Sequence, residues 1–275
     1  MKKRICLICI AILLTAALVG WIAWGNTALM TTELTVSSVR LPREFSGLRI
    51  AQVSDLHNAV FGEENETLLA RLTEASPDVI VITGDLLDAR RTDVATALSF
   101  AQNAAQIAPT YYVTGNHEAR TEEYAALENG LLEAGVTVLR NRSVLLRRGE
   151  AAIRLSGIDD PDISSEIPFD ERLAELSGEE FTVLLSHRPE RFEKYVSAKI
   201  DLTFSGHAHG GQFRLPLIGG LFAPNQGFFP RYDAGLYSEN GSVMVVSRGL
   251  GNSAFPFRFN NRPELVVVTL YPTES

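Results

Sequence analysis

A chain of 275 residues, 45% hydrophobic and 21% charged, can bury a substantial core as one large domain or two small ones. Its formal charge is −8; the first 32 residues carry three basic and no acidic side chains, which leaves 22 basic against 33 acidic, or −11, for the rest. That balance argues against a nucleic-acid binder, so any phosphate handled here must meet local positive charge, which metal ions could supply.

The chain opens on Lys2, Lys3 and Arg4, followed from Ile5 to Trp24 by twenty uncharged, mostly apolar positions. As a helix this run rises about 30 Å, the thickness of a bilayer core. It exceeds the ~7–15 apolar residues of a signal peptide, and Trp21 and Trp24 suit a membrane–water interface. The expectation is an uncleaved single-pass anchor in the cell membrane, its basic tip cytoplasmic and everything after about residue 30 extracytoplasmic. Cys6 and Cys9 both lie inside the run, so the exported part holds no disulfide.

Residues 1–30 are read as tip and anchor, 31–47 as a connector with a half-buried edge strand over Glu33–Val39, and 48–275 as one domain. In that domain β-rich runs at Leu48–Val53, Val79–Thr83 and Tyr111–Val113 alternate with helical patterns near Glu64–Ala75, Val94–Ile107 and Glu122–Ala134. Shorter strands follow at Val136–Leu139, Val144–Arg147, Ile153–Gly157, Phe181–Ser186, Leu202–Ser205, Val243–Ser247 and Leu265–Leu270, with helical patterns near Phe169–Leu176 and Pro189–Tyr195 between them. No repeat or Pro/Ser-rich linker divides the halves. The predicted fold class is α/β, a two-sheet β-sandwich flanked by helices and preceded by one transmembrane helix.

Polar clusters fall where β runs end, the place where open α/β sheets put their ligands. They are Ser54-Asp55-Leu56-His57, Gly84-Asp85, Gly115-Asn116-His117-Glu118, Ser186-His187 and Gly206-His207-Ala208-His209. Alternation along extended backbone would turn Asp55 and His57 to one side. Taken singly, a satisfied polar pair is the better reading of Asp55 and His57 and a turn of Gly84-Asp85, while a helix N-cap at Asn116 explains its cluster equally well. Yet all five histidines of the chain stand at strand ends beside Asp, Asn or Gly. Imidazole, carboxylate and amide donors without thiolate suit two divalent ions of the Mn, Fe or Zn type better than Mg.

Asp-x-His, Gly-Asp, Gly-Asn-His-Glu, a lone His and Gly-His-x-His, in this order over Leu48–Leu270, resemble the calcineurin-like metallophosphoesterase superfamily. The extended Gly206–Gln212 run and Ser247–Ser253 resemble its membrane-associated bacterial branch. The resemblance implies that Asp55, His57 and His209 hold one metal, that Asp85 bridges, and that Asn116, His187 and His207 hold the second. It further implies that His117 contacts the scissile phosphate, and that a metal-bridging hydroxide attacks phosphodiester or pyrophosphate bonds in line, including those of lipid-linked or envelope substrates. A phosphomonoesterase for soluble substrates, or a metal-stabilised binding module, is the alternative.

Asp88 and Glu118 are candidates for orienting ligand imidazoles, and Arg248 and Asn252 for lining the substrate. Arg90, Arg91, Arg120 and Arg188 are weaker candidates for steering phosphate. Gly210 and Gly211 read as room for its approach. The apolar stretch Phe213–Tyr232, with Phe222, Phe228 and Phe229, reads either as a hairpin folded onto the core or as a lip beside the metals for an acyl chain or the bilayer.

Overall fold

A computed structural model describes residues 2–163, 165–253 and 255–274. Met1 and Ser275, the outer bounds of the expected domains, lie outside the described residues. Helix α1 (Lys2–Thr27) takes up the apolar run, and by length and composition it can cross a membrane. Of its residues only Gly25 is buried. Ala28 and Leu29 separate it from β1 (Met30–Ser38), which begins three residues before the expected edge strand.

Two six-stranded mixed sheets follow. The first has the order β1, β16 (Glu264–Pro272), β2 (Leu48–Val53), β3 (Val79–Thr83), β4 (Thr110–Val113) and β5 (Thr137–Val138). Its β1–β16 and β2 to β5 pairings are parallel, while β16 and β2 are antiparallel. The second has the order β14 (Gly235–Glu239), β15 (Ser242–Val246), β9 (Leu202–Ser205), β8 (Thr182–Leu185), β7 (Ala151–Gly157) and β6 (Arg142–Arg148). Only its two outer pairings are antiparallel. Two small hairpins, β10–β11 (Arg214–Leu215, Gly219–Gly220) and β12–β13 (Phe222–Ala223, Gly227–Phe228), occupy the apolar stretch.

The unbroken apolar runs are what strands covered on both faces require. In β3, Ile80 and Ile82 face helices α2 (Glu66–Ala75), α3 (Val94–Ile107) and α4 (Tyr124–Glu133), whereas Val79 and Val81 face the second sheet. Residue period two divides β8 and β15 likewise. Leu184, Met244 and Val246 join Leu173 of α5 (Phe169–Leu176) and Phe192 of α6 (Phe192–Ser197), while Val183 and Val245 join the inter-sheet core. Each fully buried Leu, Ile or Val contributes about 1.5–3 kcal/mol relative to exposure, which makes these three layers the main source of stability. The first turn expected in the Glu64 helix is a separate 3-10 turn, because Glu64 and Asn65 are left-handed.

Candidate metal centre

The parallel strands β2, β3, β4, β8, β9 and β15 all point their C-terminal ends at one region, and every chemistry-bearing cluster begins there. Two groups of donor atoms converge: Asp55, His57, Asp85 and His209 in one, and Asp85, His187 and His207 in the other, all buried. Asp85 belongs to both. Its Oδ2 lies 3.6 Å from His57 Nε2 and 3.2 Å from His187 Nε2, and Asp55 Oδ1 lies 3.4 Å from His209 Nε2. Within each group two imidazoles meet nitrogen to nitrogen, His57 and His209 through Nε2 atoms 3.2 Å apart, and His187 Nε2 and His207 Nδ1 also 3.2 Å apart.

Such a collection fits cations. Asn116 Oδ1 is buried with no hydrogen-bond partner among the described residues, which costs free energy unless a cation meets it. Burial holds the His57 and His207 imidazoles well below their usual pKa, so both are neutral, the form that ligates metal. Burial also brings His209 down to about 4 against the pull of Asp55. His187 differs. Burial opposes its charge, but the carboxylates of Asp85 and Asp55 prevail and push it up to about 10, a demand for positive charge that an ion would also meet.

The backbone that aims these donors is coiled. Asp55, His57, Asp85, His207 and His209 all have φ between 47° and 66°. Asp55 and His57 therefore converge through left-handed turns, which corrects the expectation of alternation along an extended chain. Left-handed non-glycine residues cost about 1–3 kcal/mol each and persist where the surroundings over-determine them. Here Asp55 N–H donates to Gly84 O and His57 N–H to Asp85 O, while the Asp85 and Asp55 carboxylates accept His117 N–H and His207 N–H. At Gly84 (φ 86°) a Cβ would sit 2.7 Å from the Gly115 backbone, so two loops approach here as only glycine permits.

Glu118 ties those two loops together, accepting the backbone N–H groups of Asp85 (2.9 Å), Leu87 (3.0 Å) and Gly115 (2.7 Å). Burial and the Asp85 carboxylate push its pKa up to about 7, against the hydrogen bonds from Leu87 and Gly115. Asp88 lies 3.6 Å from His117 Nδ1, which receives the Ala89 N–H at 3.0 Å; His117 Nε2 faces Ser253 Oγ at 3.0 Å. His117 is thus beside both donor groups, its ring 4.4 Å from that of His57, without belonging to either.

The other candidates divide, Arg188 alone among the candidate arginines placing a nitrogen, Nη1, 3.1 Å from a donor imidazole, His207 Nε2. The structure does not bring Arg248 to the donors: its Nε is 3.6 Å from Glu264. Asn252 lies at the rim of the cleft beside His57 and accepts from Arg258 Nε at 3.2 Å. Arg188 is buried and ion-paired with Asp160, not solvated, and Arg120 pairs with Asp162 at the surface. Arg91 stays exposed at the cleft mouth. At Gly210 and Gly211 Asn261 and the Gly220 backbone fill the space a Cβ would need, so close packing accounts for both glycines.

Two residues escape a sequence reading. Asn225 Oδ1 is 2.8 Å from His207 Nε2 and holds the ring so that Nδ1 faces His187. Arg258, 1% exposed, places Nη2 3.4 Å from His209 Nδ1 and donates to the carbonyls of Arg248 and Gly251. A charge set among Phe255, Phe257 and Phe259 is its one signal in the sequence.

The calcineurin-like phosphoesterase profile matches residues 48–211, more than half of the chain. This chain belongs to the calcineurin-like phosphoesterases. It is a metal-dependent hydrolase of phosphate esters, and its buried Asp/His cluster is of the kind that holds two metals. It is 32% identical over 250 residues to the metallophosphoesterase YkuE of Bacillus subtilis, an alignment covering 88% of this chain and 86% of that one. It is 30% identical over 227 residues to the phosphodiesterase YaeI of Escherichia coli, covering 81% and 82%. A Bos taurus transmembrane protein with metallophosphoesterase domain is 31% identical over 261 residues, 88% of this chain but 57% of the bovine one.

Proposed function

We propose that this chain is a membrane-anchored phosphoesterase of the extracytoplasmic face that cleaves phosphodiester or pyrophosphate bonds in substrates presented at the membrane. The observation that carries the reading is the pair of buried donor groups sharing Asp85, with His117 beside them and in neither. In this reading Asp55, His57 and His209 hold one divalent ion, Asn116, His187 and His207 the other, and Asp85 serves both. Donor chemistry favours Mn, Fe or Zn. Two such ions, once bound, neutralise phosphoryl oxygens and lower the pKa of water enough to supply a nucleophile at neutral pH.

The chain's own work is positioning and proton handling. Glu118 fixes the loops bearing Asp85 and Asn116 relative to each other. The Ala89 N–H on His117 Nδ1 keeps the ring proton on Nε2, where it can donate a hydrogen bond to the charge that develops on the departing oxygen of the ester. Support for the diester comes from YaeI, a phosphodiesterase by name, and support for the anchor from α1 and from the bovine relative's name. With Mn²⁺ and the full chain in detergent, bis(p-nitrophenyl) phosphate should show kcat/KM about tenfold or more above that of p-nitrophenyl phosphate, ~1.4 kcal/mol of discrimination. Chelation should abolish both activities and added Mn²⁺ restore them. Preference for the monoester would overturn the diesterase reading.

An apolar recess beside the donors supports substrates with an apolar arm. His209, Gln212, Phe222, Pro224, Ser253 and Phe255 line it, and the exposed Phe228 ring packs on Phe222 at 5.4 Å. Exchanging Phe222, Phe228 and Phe229 together for alanine should lower turnover of a lipid pyrophosphate in mixed micelles about tenfold, with less than about twofold change on the soluble aryl diester. Equal losses on both substrates would dispose of the lip.

A further inference from the structure

The end of α1 is sewn into the wall of the metal centre. Asn26, in its last turn, uses its amide on both sides of one residue: Oδ1 accepts Arg258 N–H at 2.7 Å and Nδ2 donates to Arg258 O at 3.0 Å. The same Oδ1 takes Asn252 Nδ2 at 3.3 Å. One turn on, Arg262 donates to Ala28 O at 2.7 Å and Leu29 O at 3.0 Å and stacks over Trp24 at 4.9 Å, and Met30 N–H donates to Pro263 O. A segment with the composition of a mere tether would need none of these bonds.

The stretches they hold, residues 248–253 and 255–263, pack against the donors. Gly249 packs against Asp55 and Gly251 against Leu56 and His57, so closely that a Cβ at either would collide. Gly251 N–H donates to Asp55 O at 2.7 Å. Ser253 Oγ meets His117 Nε2 at 3.0 Å, and Arg258 reaches His209. A path of direct contacts therefore runs from the anchor's last turn to His117, His57 and His209.

We infer that Asn26 is a positioning residue for the catalytic site, clamping the stretches around Asn252 and Arg258 so that anchor and active-site wall form a single unit. The kinetic part rests on the phosphoesterase reading; the clamp itself does not. Nδ2 also donates to Ile22 O at 2.7 Å, and Oδ1 accepts from both Arg258 and Asn252, so the donor and the acceptor of this amide are both used.

The test uses the full chain in detergent with Mn²⁺, as Asn26→Ala and Asn26→Asp. Amide hydrogen exchange across residues 248–262 should quicken roughly tenfold in Asn26→Ala and less in Asn26→Asp, which keeps the Oδ1 acceptor. On the soluble aryl diester, Asn26→Ala should lower kcat about fivefold to tenfold with KM changed by less than about twofold, and Asn26→Asp should recover part of the loss. Unchanged exchange in Asn26→Ala overturns the clamp. Faster exchange with unchanged kcat overturns its reach to the site. If the unsubstituted chain cleaves no ester, the proposed function fails while the exchange still decides the clamp.

Discussion

His117→Ala is expected to lower kcat by about 10²–10⁴ while the purified protein keeps its full metal content. The two effects separate because His117 stands outside both donor groups, yet its Nε2 is held toward Ser253 by the Ala89 amide behind it. A residue of this kind acts on charge developing at the leaving oxygen, which exists only as the bond breaks, so kcat and kcat/KM should fall together. Substrates with good leaving groups should feel the loss least. Metal analysis beside steady-state kinetics on p-nitrophenyl and alkyl diesters checks both points. Parallel loss of metal and turnover would make His117 a structural support of the donors instead.

Much of this architecture is written in local patterns. The bounds of β2, β3, α3, α5 and β9 coincide with their apolar periods, because unbroken apolar runs in the strands and a one-sided apolar stripe in the helices mark where burial begins. The donors were legible as short motifs at strand ends. Long-range pairing was not legible. Strand β1 starts at Met30 because β16 supplies it with a parallel partner from Glu264 onward, and Thr32 Oγ1 bonds Glu264 there at 2.6 Å; nothing within Met30–Thr32 announces that. Strand β14, Gly235–Glu239, begins at a glycine and shows little apolar content, and only its antiparallel partner β15 makes it a strand. Arg188 and Arg248 invited the same reading as arginines near motifs. Their different fates were set by Asp160 and Glu264, far along the chain.

Asp160→Ala should destabilise the fold by about 3–5 kcal/mol, because it strands a buried guanidinium without its counter-charge. Arg188 donates to Asp160 through Nε at 2.6 Å and Nη2 at 2.8 Å, with both side chains at most 3% exposed. At about 2–4 °C per kcal/mol for a domain of this size, the thermal midpoint should fall by ~6–20 °C. A drop below about 2 °C would mean that Asp162 and Glu190, 3.1 and 3.7 Å from the same guanidinium, already compensate it. The pair has a second task that stability alone does not reveal. Arg188 Nη1 donates to Asn225 Oδ1 at 2.8 Å and so fixes the acceptor that orients His207. Replacing both partners by apolar residues, as in Arg188→Met with Asp160→Leu, should therefore restore most of the lost stability, since a buried ion pair and an apolar pair of like volume are often equivalent. It should not restore metal affinity, because Asn225 then lacks the donor that holds it against His207. Recovery of both would reduce the ion pair to a packing element, and recovery of stability alone would show that its charge serves the donor group.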